Sequence, residues 1–273
     1  MTDLAINVEL VAGILTDFIR DEVLKVGAKG VVVAISGGID SAVSARLAVT
    51  ALGQEAVTGL ALPYRESAPG SLEDAQLLAG QLRIGLFEIE ITPQIDAYFS
   101  RFPEADATRR GNKMARERMS ILYDISATKS ALVLGTSNKS ELLLGYTTLW
   151  GDGAHALNPL GDLYKTQLFQ LARHLGLPQR IIDKAPSADL FAGQSDEVDL
   201  GFTYQEADRI LFQLVDERRA PAELSERGLD PALVQLIWGR VRASQFKRRP
   251  PLIAKLSTRS VGQDFRYPRD WGH

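Results

Sequence analysis

Six residues, Ser36-Gly37-Gly38-Ile39-Asp40-Ser41, constrain the fold more than any other stretch of the chain. They follow the apolar run Gly30-Val31-Val32-Val33-Ala34-Ile35 and precede Ala42-Val43-Ser44-Ala45-Arg46-Leu47-Ala48, so a buried strand must turn tightly into a helix. Two glycines let the backbone approach an anion, and the helix start presents unpaired N–H groups and the positive end of a dipole. Asp40 adds a carboxylate where a metal bridging phosphates would sit. The plain alternative is a glycine turn with Asp40 as a helix cap. The complete Ser-Gly-Gly-x-Asp-Ser string behind a buried strand favours the phosphate site. No lysine lies in the turn, so it is not a Gly-x-x-x-x-Gly-Lys-Ser/Thr loop. Gly151-Asp152-Gly153 starts like a dinucleotide fingerprint, yet it neither follows a clear strand nor opens a clear helix.

With 273 residues, 45% hydrophobic and 24% charged, the chain fits one large α/β domain or two small ones with a sizeable core. A net charge of −3 gives no electrostatic case for nucleic-acid binding. No apolar run of about 18 residues predicts a membrane span, and no basic-plus-apolar leader is visible. A cytoplasmic protein is expected. The absence of cysteine excludes disulfides, thiolate metal sites and a cysteine nucleophile within this chain. His155, His174 and His273 are scattered without zinc-ligand spacing.

Periodicity predicts a first helix over about residues 3–25, with Leu4, Val8, Val11, Leu15 and Phe18 as its apolar stripe. Strands are expected at 31–35, 56–62, 86–91 and 131–135, with helices starting near Asp40, Ser71, Pro93 and Asn112. This alternation predicts an α/β fold: a doubly wound, mostly parallel sheet with helices on both faces. The active site of such a sheet lies beyond the carboxyl ends of its strands. Pro63-Tyr64-Arg65 and Gly135-Thr136-Ser137 share that edge with the opening motif. Beyond Pro159 the chain reads as helical, at 164–175, 178–184, 204–217 and 231–245. Residues 100–111 and 185–203 read as mobile loops. The tail from Phe246 holds Phe265, Tyr267 and Trp271, too many aromatics for a free end, so it is expected to pack on the body or a partner.

Glu141 follows the fourth strand and can approach Asp40 if the two strands are neighbours. Two carboxylates plus phosphate oxygens would satisfy Mg²⁺, although a glutamate favoured by a helix dipole explains Glu141 equally well locally. Lys113 and Arg116 share a helix face that a polyanion would reward, with Arg118 pointing elsewhere; Lys113 and Glu117 can also simply pair. Leu149-Trp150-Gly151-Asp152-Gly153-Ala154 reads locally as a glycine turn. Lys165 at the start of a helix opposes the dipole unless an anion is near. Ser187 and the segment 196–201 read as loop and capping residues, and Lys247-Arg248-Arg249 as cations at a helix C-terminus.

The six-residue loop resembles that of the adenine-nucleotide alpha-hydrolase-like enzymes, which split ATP between the α and β phosphates. Together, 36–41, 111–119, 135–145, 150–159, 163–167, 186–190, 196–201 and 247–249 resemble ammonia-dependent NAD⁺ synthetase, in that family's order. The resemblance implies one synthetase domain over 1–273, without a glutaminase domain. It implies adenylation of the nicotinate carboxylate of deamido-NAD⁺ by ATP with Mg²⁺, then displacement of AMP by ammonia. ATP contacts would be Ser36, Gly37, Gly38, Ile39, Asp40, Ser41, Arg116, Thr136, Lys165 and Ser187. Asp40 and Glu141 would ligate Mg²⁺, and Lys113, Trp150, Asp152 and Lys247 would meet deamido-NAD⁺. Asp40, Lys165 and Ser187 would be catalytic, in a homodimer whose interface forms the dinucleotide pocket. Ala156 and Phe246 stand where the family commonly has an acid and a histidine.

Carboxylate and ammonia do not condense at neutral pH, so an adenylate that supplies a leaving group suits the reaction. Another amidating ATP pyrophosphatase, such as a GMP-synthetase-like subunit, and a non-catalytic ATP-binding module of the universal-stress type are the competing readings. The module gives no reason for Glu141, Lys165 and Ser187 to occur together.

Overall fold

The structure is a computed structural model that describes residues 4–187, 189–191, 193–262 and 264. In chain order it runs α1 (Val8–Leu24), β1 (Val31–Ala34), α2 (Ile39–Leu52), β2 (Val57–Ala61), α3 (Pro69–Leu82), β3 (Gly85–Glu88), α4 (Thr92–Phe99), α5 (Ala107–Lys129), β4 (Leu132–Val133) and α6 (Lys139–Leu144). There follow α7 (Lys165–His174), α8 (Gln179–Ile182), α9 (Asp196–Leu200), α10 (Tyr204–Leu211), α11 (Pro221–Glu226) and α12 (Pro231–Ala243).

The four strands form one parallel sheet in the order β3-β2-β1-β4. β1 is central, which explains its run of valines. Val31 and Val33 face a core shared with α1, α2, α3 and α7, whereas Val32 faces α4 and α5. Side chains that alternate between two covered faces require apolar residues at every position. A third core, built by α6, α10, α11 and α12 around Tyr164, makes the helical C-terminal part. The chain builds outward from β1 to β3 and then returns to place β4 on the other side of β1. Such a reversal opens a crevice at the carboxyl ends of β1 and β4. The fold class expected from the sequence is the one observed.

Several boundaries differ from the sequence reading. Among described residues the first helix begins at Val8, where the Asn7 side chain accepts from the Leu10 N–H (3.1 Å). Its buried face is Thr16, Ile19 and Val23, while Phe18 is exposed, because α2 and α7 pack one residue further round the helix. α5 starts at Ala107, not near Asn112. Asp106 caps it through the Arg109 N–H (2.7 Å), which shortens the expected loop. The 185–203 segment contains α9. α6 and α11 carry signals that periodicity alone passes over, the Asn138/Glu141 capping box and Pro221 at a first helical position. α10 ends at Leu211 in a wider π-helical turn over Phe212–Asp216, which lets Asp216 accept from Lys139 (2.7 Å) and Tyr164 (2.5 Å). Phe265, Tyr267 and Trp271 lie outside the described residues, and Leu252 and Leu256 in the preceding stretch are exposed.

Candidate active site

The opening motif forms the turn that β1 and α2 demand. Gly37 has φ 76°, and a Cβ there would lie 2.4 Å from the Ser71 carbonyl oxygen, so only glycine fits. Ser41 Oγ donates to the Gly38 carbonyl (3.0 Å) and accepts from the Ser36 N–H (3.2 Å), which closes the loop on itself. α2 has Gly38 at its N-cap position and therefore no side-chain cap, unlike α5, α6 and α10. Its first-turn N–H groups are thus left to an incoming anion.

Neighbouring strands bring Asp40, just after β1, to Glu141, just after β4. Lys165 lies between them. Its Nζ is 2.5 Å from Asp40 Oδ2 and 3.3 Å from Glu141 Oε1, and the residue is only 1% exposed. Asn138 fixes the carboxylates. Its Nδ2 donates to Asp40 Oδ1 (2.7 Å), its backbone N–H to Glu141 Oε2 (3.2 Å), and its Oδ1 accepts from the Glu141 N–H (3.1 Å). Lys165 begins α7, where a cation opposes the helix dipole. The local cost is offset by Ser140 Oγ, which accepts from its backbone N–H (2.9 Å), and by the two carboxylates. The Tyr204 ring lies 5.2 Å from Nζ, and the Tyr204 hydroxyl donates to Asp196 Oδ2 (3.2 Å).

Burial works to lower the Lys165 pKa, but Asp40 and Glu141 outweigh it and hold the ammonium above its ordinary value. Burial, reinforced by the charge of Asp40, pushes Glu141 up to about 8, with Lys165 opposing. A carboxylate whose folded pKa exceeds its unfolded value of 4.5 contributes stability below that value, and the contribution is lost as pH rises through 8. In the ligand-free protein, Glu141→Gln is therefore expected to gain in Tm relative to the unsubstituted chain as pH rises from 5 to 8.5. Calorimetry over that range checks it, and a pH-independent difference would contradict it.

Beside this cluster, at the carboxyl ends of β1 and β2, a cavity of about 340 Å³ is lined by Ala34, Leu60, Leu62, Tyr64, Arg118 and Asp189, among others. Arg118 Nε donates to the Leu62 carbonyl (3.0 Å). Asp189 has φ 50° and accepts from the Ala68 N–H (2.9 Å), so the loop after Ser187 is pinned beside the cavity. Ser187 is exposed at the start of that loop, and Thr136 is half-buried just past β4.

The remaining sequence candidates gather elsewhere, on the loop from Gly145 to Asp152. Arg116 Nε donates to the Leu149 carbonyl (3.1 Å) and Lys247 Nζ to the carbonyls of Gly145 (2.8 Å) and Thr147 (2.6 Å). Asp152 Oδ1 accepts from the Thr148 N–H (2.7 Å). These contacts hold Trp150 in a left-handed conformation (φ 63°) with its side chain 54% exposed. Lys113 pairs with Glu117 and lies 5.5 Å from the Tyr98 ring. Arg116 thus belongs to the Trp150 loop, and Arg118, set aside by helical-face reasoning, lines the cavity. Asp196 is also missing from the sequence candidates. It is 4% exposed, and its carboxyl is raised by burial and lowered by Lys165. Its only local signal is the acidic string Asp196-Glu197-Val198-Asp199.

The sequence profile of the NAD synthase family matches residues 11–251, across the loop, both carboxylates and Lys165. The chain belongs to that family. The NH₃-dependent NAD⁺ synthetase of Trichlorobacter lovleyi is 54% identical over 272 residues and covers all of both chains. Among solved structures, the NH₃-dependent NAD synthetase from Campylobacter jejuni superposes with a TM-score of 0.79 at 38% identity, covering 92% of this chain and 100% of that one. The NMN synthetase from Francisella tularensis gives a TM-score of 0.81 at 34% identity, covering 92% and 99%. As in the rest of the NAD synthase family, the activity is that of an ATP-using ligase. No helix among the described residues is long and apolar enough to cross a membrane.

Proposed function

We propose that this chain joins free ammonia to the nicotinate carboxylate of deamido-NAD⁺. ATP first converts the carboxylate to an acyl-adenylate with release of pyrophosphate. Ammonia then attacks the acyl carbon, AMP leaves, and one proton is lost. The observation that carries the reading is the buried Lys165 ammonium held between Asp40 and Glu141 beside an uncapped phosphate turn.

The donor set fits Mg²⁺. Two hard carboxylates converge on one cation, and among the described residues no three His, Cys, Asp or Glu side chains form an all-protein cage. Mg²⁺ prefers few protein ligands and completes its shell with phosphate oxygens. Asp40 and Glu141 would hold it, and when bound it would neutralise charge on the phosphates. The chain's own groups do the rest. Ser36, Gly37, Gly38, Ile39, Asp40 and Ser41 cradle the phosphates with backbone N–H groups and hydroxyls. Lys165 stays protonated and stabilises charge developing on the leaving pyrophosphate. The cavity lined by Arg118 and Asp189 suits the adenosine moiety, with Thr136 and Ser187 nearer the phosphates. Trp150 offers an exposed ring to the pyridine, on the loop shared by Asp152, Arg116 and Lys247, with Lys113 on α5. The reading covers the chain as one synthetase domain, working in the cytoplasm as a homodimer whose partner completes the dinucleotide pocket.

The similarity to an NMN synthetase makes nicotinate mononucleotide the second acceptor to test. Protein, ATP, Mg²⁺ and ammonium are mixed with deamido-NAD⁺, nicotinate mononucleotide or xanthosine monophosphate, and AMP is assayed. AMP is expected with deamido-NAD⁺, and only with ammonium as nitrogen donor. AMP formed solely with xanthosine monophosphate sinks the proposal, solely with nicotinate mononucleotide replaces the acceptor, and turnover with glutamine refutes the ammonia requirement. ATP binding without turnover on any acceptor favours the binding module.

A further inference from the structure

Lys184 has no part in the chemistry above, yet it touches the phosphate turn from behind. Its Nζ donates to the Gly37 carbonyl (3.4 Å), to Ser71 Oγ (3.2 Å) and to Asp74 Oδ2 (2.9 Å). An ammonium has three donors, and each has an acceptor here. Ser71 and Asp74 come from α3 and are 7% and 2% exposed. These are the same residues that crowd Gly37: a Cβ there would lie 2.4 Å from Ser71 O and 3.0 Å from Asp74 Cβ. Lys184 itself stands two residues beyond α8 and three before Ser187. One ammonium therefore joins the phosphate turn, the first turns of α3 and the root of the Ser187 loop.

The electrostatics give the contact a purpose. A buried carboxylate packed against Gly37 would repel any polyanion bound on the other side of the turn. Lys184 on Oδ2, and Arg180, whose Nε is 2.7 Å from Oδ1, neutralise it. We propose that Lys184 is a positioning residue for ATP: it clamps Gly37 in its left-handed conformation, cancels the charge of Asp74 behind the cradle, and sets where the Ser187 loop departs. The proposal rests on the reading of residues 36–41 as a phosphate cradle, but not on the identity of the acceptor.

The test uses the full-length protein with Mg²⁺. ATP is titrated directly with no acceptor present, and pyrophosphate is titrated as a competitor. Lys184→Ala is expected to weaken both by roughly tenfold or more, the scale of a lost hydrogen bond to a charged group. KM for deamido-NAD⁺ is expected to stay within twofold, and Lys184→Arg to restore most of the ATP affinity. An ATP Kd within twofold of the parent in Lys184→Ala, or an equal weakening toward deamido-NAD⁺, overturns the clamp. A merely structural lysine would lower Tm and leave that ratio of affinities unchanged. If Lys184→Ala does not fold, Ser71→Ala, which removes one acceptor, decides instead: an ATP Kd changed by less than twofold there overturns the proposal. Failure of the acceptor assay alone leaves these titrations readable, so the two readings fail separately.

Discussion

Lys165→Met is expected to slow AMP release by about 10²–10³-fold, the range found when one preorganised charge-stabilising donor is removed. Methionine keeps the length and burial of the side chain, so the packing against Tyr204 is largely retained while the positive charge is lost. Asp40 and Glu141 then face each other with no cation between them. Breaking a buried ion pair costs about 3–5 kcal/mol when the remaining charge is uncompensated. Here the loss is expected to be smaller, because Glu141 already lies near 8 and takes a proton readily. The Tm deficit of Lys165→Met should therefore widen as pH rises from 5.5 to 8.5. AMP chromatography and calorimetry at the two pH values measure both effects. A kcat within threefold of the parent would remove Lys165 from the mechanism.

Asp40→Asn is expected to abolish Mg²⁺-dependent pyrophosphate release, by roughly a thousandfold, while leaving the fold intact. Asparagine is isosteric and can still accept from Asn138 Nδ2, and Lys165 keeps Glu141 as its partner. What disappears is one of two hard anionic oxygens, and a metal's charge stabilisation is worth several kcal/mol, with about 1.4 kcal/mol per factor of ten in rate. A Mg²⁺ titration of pyrophosphate release, with circular dichroism to verify folding, reads both halves of the expectation. Full activity in a folded Asp40→Asn protein would refute the metal role. Unfolding would instead show that Asp40 mainly anchors Lys165.

The sheet and the Asp40–Glu141–Lys165 cluster were legible because local signals and topology agree there. A valine run between glycine turns reads as a central strand, and neighbouring parallel strands necessarily bring the residues just past their ends together. That is why Asp40, Glu141 and Lys165 could be found from spacing and resemblance. Arg116 and Arg118 show where such reading stops. Both lie on α5, and the face that looks into the cavity depends on how α5 packs against the sheet, which helical periodicity does not determine. Phe18 was misplaced for a similar reason, since α2 and α7 select the buried face of α1. Lys184 was invisible because its partners lie far off in sequence: it reaches Asp74 across 110 positions. No window of neighbouring residues contains such a contact.

Asn138 gives the site one more property. The same side chain that begins α6 also holds Asp40, and its backbone N–H holds Glu141. The neighbouring strands bring the two carboxylates together, and this helix cap then fixes how they sit relative to each other. Fraying of the first turn of α6 would therefore loosen the carboxylate pair and leave Lys165 as its remaining link. With the metal role proposed for Asp40 and Glu141, local opening of this one short helix end would disarm the site even while the sheet beneath it stays folded.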